Sequence, residues 1–358
     1  MTQAPRVAAA TKPTEEAFAD RTGPLGPPVL RVETLRTEFP TRSGVAVAVD
    51  GLSFVLHARE TLAIVGESGS GKSVTALYIL GLIPRSAGRI AQGKVMLGGR
   101  DLLSIDSRAL QAVRGREIAM IFQDPMSSLN PVLTIGRQLT EAMVEHRVLG
   151  RTAARRRAVE MLELVQIAEP ARQMNRYPHQ LSGGMRQRVM IAMALSCSPK
   201  VLIADEPTTA LDVTVQAQTL DLMRRLQADF GTSIILITHD MGIVAEMADR
   251  VIVMYAGRKV EEGAVADVFE SPRHPYTSGL LDALPRLSSA PGPRRRLTEI
   301  PGMVPPLTRL PEGCRFAARC PLANQRCVEA YPPFEEKAPG QWAACWESHR
   351  LPGRMLPP

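Results

Sequence analysis

The sequence predicts an α/β fold with a mixed sheet core, an antiparallel β subdomain and an α-helical subdomain, followed by a small cysteine-containing C-terminal extension. Three observations carry that prediction. The apolar run Thr61-Leu62-Ala63-Ile64-Val65 leads into Gly66-Glu67-Ser68-Gly69-Ser70-Gly71-Lys72-Ser73 and then into the helix-forming stretch Val74 to Leu80, the order of a buried strand, a tight turn and a helix. Short apolar runs at Val201–Ala204 and Ser233–Ile237 each end in polar residues, as strands of a sheet covered on both faces do. From Thr134 to Ile167 the apolar residues fall at helical spacing.

Taken in order, residues 1 to about 28 are rich in Ala, Pro and Thr without apolar periodicity, which predicts a disordered extension. Val29–Phe39 and Val45–Leu56 alternate apolar with polar residues and predict two antiparallel strands turning at Gly44. Phe39, upstream of the glycine-rich turn, suits either adenine stacking or a strand-end place in the core. Gly93–Leu97 and Glu117–Phe122 read as further strands, and two helices follow over about 135–148 and 152–166. A loop-to-helix transition comes at Leu181-Ser182-Gly183-Gly184, then the strand Val201–Ala204, a helix over about 214–230, the strand Ser233–Ile237, and a hairpin over 251–261. This divides the chain into an extension over 1–28, a nucleotide-binding domain over 29–270 with its helical subdomain at about 124–196, and a C-terminal region over 271–358.

Composition bounds the function. The chain has 358 residues, 45% of them hydrophobic, enough for one large domain and a smaller one. Aromatic residues make up only 4%, which speaks against a nucleic-acid surface built on base stacking. A formal charge of +7 suits work beside an anionic membrane face, or plain solubility, better than nucleic-acid binding. No apolar run approaches a spanning helix and the N-terminus lacks a signal-peptide core, so a cytosolic chain that reaches the membrane through a partner is expected.

The candidate site residues follow from chemistry. Gly66, Gly69 and Gly71 allow a backbone turn whose N–H groups converge on phosphate oxygens, with Glu67, Ser68 and Ser70 between them. Lys72 would reach the β- and γ-phosphates and Ser73 would ligate Mg²⁺, so a nucleoside triphosphate is the expected ligand. Asp205 and Glu206 end a buried strand, where Asp205 can hold Mg²⁺ and Glu206 can deprotonate an attacking water. His239 ends a parallel strand at the same sheet edge and suits a γ-phosphate contact. Ser182 is a good N-cap, and Gly183 and Gly184 expose backbone N–H groups at a second helix N-terminus, a second anion site. One chain cannot easily bring that helix to its own P-loop, and a dimer would solve the problem.

Taken together these residues resemble the ATP-binding cassette (ABC) ATPases over about residues 30–270. The resemblance rests on the P-loop, Gln123 of a Q-loop, the signature Leu181-Ser182-Gly183-Gly184, Asp205-Glu206, the D-loop Ala210-Leu211-Asp212, and His239 as the switch histidine. It implies a head-to-tail pair of cassettes around two ATP molecules, adenine stacking by Phe39, Mg²⁺ held by Ser73, Gln123 and Asp205, and catalysis by Glu206 with His239 and Gln123. The segments Phe122–Pro131 and Arg273-His274-Pro275-Tyr276-Thr277 narrow the resemblance to the ATPase subunits of oligopeptide and dipeptide importers. Relatives in that group that handle nickel or glutathione keep those solutes open as alternatives, and a soluble cassette acting away from membranes is the rival class. The implied partners are a second ATPase subunit, by preference a paralogue, two membrane permeases and, indirectly, an extracytoplasmic solute-binding protein, with no nucleic acid. The implied place is the cytoplasmic face of the inner membrane.

The tail carries its own chemistry. Residues 271–312 are proline-rich, include Arg294-Arg295-Arg296, and predict an extended connector. Cys314, Cys320, Cys327 and Cys345 follow, separated by five, six and seventeen residues, which is not the paired spacing of a zinc ribbon. Four thiols in a segment too short for its own core still point to a metal staple. By resemblance to the importer group this is a [4Fe–4S] site, with Zn²⁺ and free thiols as alternatives. Cys197 has no such company and is expected to serve packing.

Overall fold

The computed structural model describes residues 26–84, 86–124, 128–209, 212–284 and 299–351. Most of the N-terminal extension, Pro125-Met126-Ser127, Ala210-Leu211 and Arg294-Arg295-Arg296 lie outside the described residues.

Two sheets form the frame. The first is antiparallel, with strands β1 (Pro28–Thr41), β2 (Gly44–His57), β4 (Arg89–Leu97) and β5 (Arg100–Asp101) in the order β2-β1-β4-β5. The Thr41↔Gly44 pair closes the β1–β2 hairpin at the glycine that the alternating pattern predicts. The second has eight strands in the order β11 (Glu335–Ala338), β12 (Gln341–Ala343), β10 (Arg258–Ala264), β9 (Arg250–Tyr255), β3 (Thr61–Val65), β8 (Ser233–Thr238), β7 (Val201–Asp205) and β6 (Ile118–Ile121). Its parallel part contains β3, β6, β7, β8 and β9.

The parallel strands read as unbroken apolar runs because both of their faces are covered. On β7, Val201 and Ile203 join the core under the antiparallel sheet, whereas Leu202 and Ala204 join the helical core on the other side. On β8 the same division separates Ile235 and Ile237 from Ile234 and Leu236. The helical core is built mainly by helices Ile135–Glu145, Arg151–Leu164, Gly183–Leu195 and Val213–Phe230. Cys197 is buried in that core, as its isolation in the sequence suggests.

The C-terminal region differs from an extended connector and a separate staple. Pro275–Asp282 forms a helix, with Pro275 at its first turn, where proline's missing N–H costs nothing. Strands β11 (Glu335–Ala338) and β12 (Gln341–Ala343) then pair antiparallel, and β12 adds to β10 (Arg258–Ala264) through Glu261↔Ala343 and Glu262↔Trp342. The tail therefore extends the main sheet. Its strands are short and polar, which leaves little periodicity to read in the sequence.

Candidate nucleotide site

Register places the chemistry at one edge. β8 lies between β3 and β7, with Val65 opposite Thr238 and Asp205 opposite Ile237. The three strands thus deliver the P-loop, Glu206 and His239 to the carboxyl edge of a parallel sheet, the ordinary ligand-binding edge of such sheets.

The P-loop depends on glycine at two points. Gly66 has φ +151°, and a Cβ there would collide with the Met254 carbonyl oxygen. Gly71 has φ +100°, and a Cβ there would collide with the Ala48 carbonyl. Ser70 N–H donates to the Glu67 carbonyl at 3.2 Å, closing the turn before helix Lys72–Ile79. Lys72 Nζ donates to the carbonyls of Gly66 at 2.6 Å and Glu67 at 3.1 Å. Burial lowers the Lys72 pKa, and the carboxylates of Glu206, Asp205 and Glu67 act against that shift. Ser68 and Gly69 are exposed at the tip of the loop.

Ser73 Oγ donates to Asp205 Oδ1 at 3.0 Å, which puts a hydroxyl and a carboxylate side by side. Asp205 is buried, and burial raises its pKa against the Ser73 hydrogen bond. A buried carboxylate with a raised pKa is a group that a cation would stabilise, and oxygen donors are the ones Mg²⁺ prefers. Ser73 and Asp205 therefore fit the expected Mg²⁺ site.

Glu206 is the hub. Gln123 Nε2 donates to its Oε2 at 2.9 Å, Thr209 Oγ1 donates to the same oxygen at 2.9 Å, and His239 Nδ1 lies 3.0 Å from its Oε1. Burial pushes the Glu206 pKa up, but the His239 and Thr209 hydrogen bonds and the charges of His239 and Lys72 outweigh it and leave the group below the usual glutamate range. The residue also has φ +46°, a left-handed backbone that is costly for a side chain with a Cβ and concentrates at functional sites. Thr209 carried no signal in the sequence beyond its place three residues after Glu206.

The signature lies on a different element. Ser182 caps helix Gly183–Leu195 by accepting the Met185 N–H. A Cβ at Gly183 would meet nothing within 4 Å, and one at Gly184 only the Val215 side chain. The helix N-terminus is thus open to a ligand, on a helix that belongs to the helical core rather than to the P-loop's core. Buried Gln187 of this helix donates to the Pro207 carbonyl, a link to the Glu206 segment that the sequence did not reveal. Asp212 caps helix Val213–Phe230 by accepting the Val215 N–H. Phe39 is half-buried and edge-on to Tyr78 of the P-loop helix, with ring centroids 6.0 Å apart.

Residues 49–209 match the ABC transporter family, and residues 260–327 match the oligopeptide/dipeptide transporter C-terminal region. A probable peptide ABC transporter ATP-binding protein of Sinorhizobium fredii is 52% identical over 323 residues, covering 90% of this chain and 96% of its own. The chain belongs to the ABC transporter ATP-binding proteins. The oligopeptide transport ATP-binding protein OppD of Bacillus subtilis is 50% identical, with 92% of each chain covered. Among solved structures, a dimeric post-hydrolysis state of the cassette MJ0796 bound to ADP and phosphate superposes with a TM-score of 0.59 at 27% identity, covering 66% of this chain and 98% of that one. This ABC protein is accordingly an ATPase with the fold the sequence predicts, and ATP with Mg²⁺ belongs to its site. No helix among the described residues is long and apolar enough to cross a membrane.

In this ABC protein the four tail cysteines come together. Cys314, Cys320, Cys327 and Cys345 line one small cavity with His274 and Phe316, and none forms a disulfide. Burial, reinforced by the neighbouring thiols, pushes Cys314 up to about 11 and Cys345 up to about 12, and raises Cys320. Bare thiolates are therefore disfavoured there unless a cation compensates them. Among the described residues no three Cys, His, Asp or Glu side chains are grouped to hold a metal ion. The sulfurs thus share one cavity without being grouped as metal ligands in this structure, for Zn²⁺ and for an iron–sulfur cluster alike.

Proposed function

We propose that this chain is the ATP-hydrolysing subunit of an importer for dipeptides or oligopeptides, and that Glu206 is its general base. The observation that carries the reading is the convergence of Gln123, Thr209 and His239 on the Glu206 carboxylate, beside the Ser73–Asp205 pair and Lys72. The depressed pKa keeps Glu206 ionised at neutral pH, so the carboxylate is ready to take a proton from the attacking water. Thr209 and Gln123 fix one carboxylate oxygen and His239 the other, which orients the base without consuming it. Lys72 neutralises phosphate charge, and Ser73, Asp205 and Gln123 would hold Mg²⁺, which would supply further charge neutralisation.

The signature Ser182-Gly183-Gly184 completes the site of a facing subunit, and Asp212 belongs to the same contact. Two cassettes then close around two ATP molecules and reopen after hydrolysis. The facing subunit is a paralogue, and the pair works on two permeases at the cytoplasmic face of the inner membrane, fed by an extracytoplasmic binding protein. Phe39 stacks on the adenine. Peptide as cargo is supported by the relatives, among them the dipeptide transport ATP-binding protein DppD of B. subtilis at 49% identity. The four cysteines hold a [4Fe–4S] cluster, supported by four soft donors around one cavity.

The test is peptide uptake and ATP turnover by the assembled importer carrying Lys72→Ala. Both activities are expected to disappear with the assembly intact. Uptake that persists without turnover would overturn the reading.

A further inference from the structure

Glu67, the second residue of the P-loop, is gripped at every polar group. Its N–H donates to the Tyr276 hydroxyl at 2.8 Å. Its carbonyl accepts from Lys72 Nζ and Ser70 N–H. Its carboxylate takes both terminal nitrogens of Arg319, Nη1 to Oε2 at 2.8 Å and Nη2 to Oε1 at 3.0 Å.

Arg319 is built for this contact. Its side chain is only 6% exposed, and its remaining N–H groups are used by Tyr255 Oη at 3.2 Å and by the carbonyls of Pro301 and Ile300 at 2.8 and 3.2 Å. A planar guanidinium with five donors satisfied cannot move without breaking several bonds at once, so it holds Glu67 in one place. Tyr276 is fully buried, and its ring lies against Tyr255 at 4.7 Å and Phe316 at 5.4 Å between centroids. Phe316 and Arg319 both belong to the short segment between Cys314 and Cys320.

We propose that Tyr276 and Arg319 of the C-terminal region are positioning residues for ATP binding, acting through Glu67 on the P-loop and on Lys72. They stand 209 and 252 residues from Glu67 in the chain, so the tail completes the nucleotide site of its own subunit. The physical link is direct. Lys72 Nζ rests on the carbonyls of Gly66 and Glu67, so where Glu67 is held decides where the phosphate-binding ammonium starts from. A P-loop fixed before the nucleotide arrives binds it without first ordering the loop, and releasing the clamp raises that cost. The proposal rests on the ATPase reading above.

The experiment is calorimetric titration of Mg²⁺ and the non-hydrolysable analogue AMP-PNP into the full-length chain, with steady-state ATPase kinetics in the assembled importer. Arg319→Gln and Glu67→Gln are each expected to weaken binding about tenfold, the scale of a lost charge-assisted pair. The double variant is expected to be no weaker than the worse single one, because both remove the same contact. KM is expected to rise with kcat changed less than about threefold, and Arg319→Lys to recover part of the affinity. Glu67 is only half-buried, its side chain 29% exposed, so Glu67→Gln keeps the test alive if Arg319→Gln fails to fold. Folded Arg319→Gln or Glu67→Gln protein that binds the analogue as tightly as wild type would overturn the proposal alone, as would additive effects in the double variant. Wild-type chain that binds no analogue would overturn the ATPase reading and this proposal with it.

Discussion

At the scale of single residues, the site separates two carboxylates that stand next to each other in the chain. Asp205 is buried beside Ser73 and its pKa is raised by that burial, whereas Glu206 is held below the usual range, against its own burial, by the His239 and Thr209 hydrogen bonds and nearby positive charge. On the proposed reading one is a cation ligand and the other a ready proton acceptor, with environment rather than residue type deciding the roles. The sign for pH follows. A depressed pKa keeps the active carboxylate ionised at and above the usual glutamate range and removes it only as the pH falls below that range. Between pH 6 and 8, wild-type turnover is therefore not limited by Glu206 protonation. His239→Ala deletes the largest of the opposing influences, so turnover is expected to fall and the acid limb of the kcat profile to move upward. A profile carried below the usual glutamate range checks both, and an unmoved acid limb would contradict the assignment. Asp205, Glu206 and His239 were legible in the sequence because each ends an apolar strand. Thr209, Tyr276 and Arg319 were not, because their roles rest on side-chain contacts that no spacing rule encodes.

At the scale of elements, the two helix N-termini behave differently. The P-loop helix begins inside a turn crowded by the carbonyls of Met254 and Ala48, so Gly66 and Gly71 are steric necessities. The signature helix begins in the open, and Gly183 has free space where a side chain would go. Substitution there tests function without testing packing. Gly183→Asp is expected to leave thermal stability unchanged or slightly raised, since a carboxylate in the first helical turn favours the dipole by about 0.3–1 kcal/mol. The same charge would repel the γ-phosphate of a facing ATP, so turnover in the assembled importer is expected to drop at least tenfold. Unfolding curves and turnover measured on the same preparation check the pair, and normal turnover would contradict a phosphate role for this helix. The sequence revealed the helix and its cap. Its hydrogen bond from Gln187 to the Pro207 carbonyl, which ties it to the Glu206 segment, lies across twenty residues of chain and left no pattern.

At the scale of the whole molecule, several contacts tie the tail to the cassette. β12 pairs with β10, Arg319 grips Glu67, and Arg315 reaches Asp50 of β2 and the Ala256 carbonyl. Both arginines lie between Cys314 and Cys320, so the segment that helps to line the cysteine cavity also holds the nucleotide domain. The sequence suggested an extended connector over 271–312 and a metal staple beyond it, because the short polar strands after the connector hide their long-range pairing. Protein purified without oxygen is expected to contain about four iron and four acid-labile sulfide per chain, and to lose them in Cys345→Ser. Colourless, iron-free folded protein would contradict the cluster and leave the nucleotide chemistry untouched. If Glu206 is the base that takes a proton from the attacking water, the turnover of Glu206→Gln in the assembled importer at saturating MgATP reads its role directly. A fall of about 10²–10⁴-fold with ATP still bound is predicted, the usual cost of losing a general base. Turnover near the wild-type rate would contradict it.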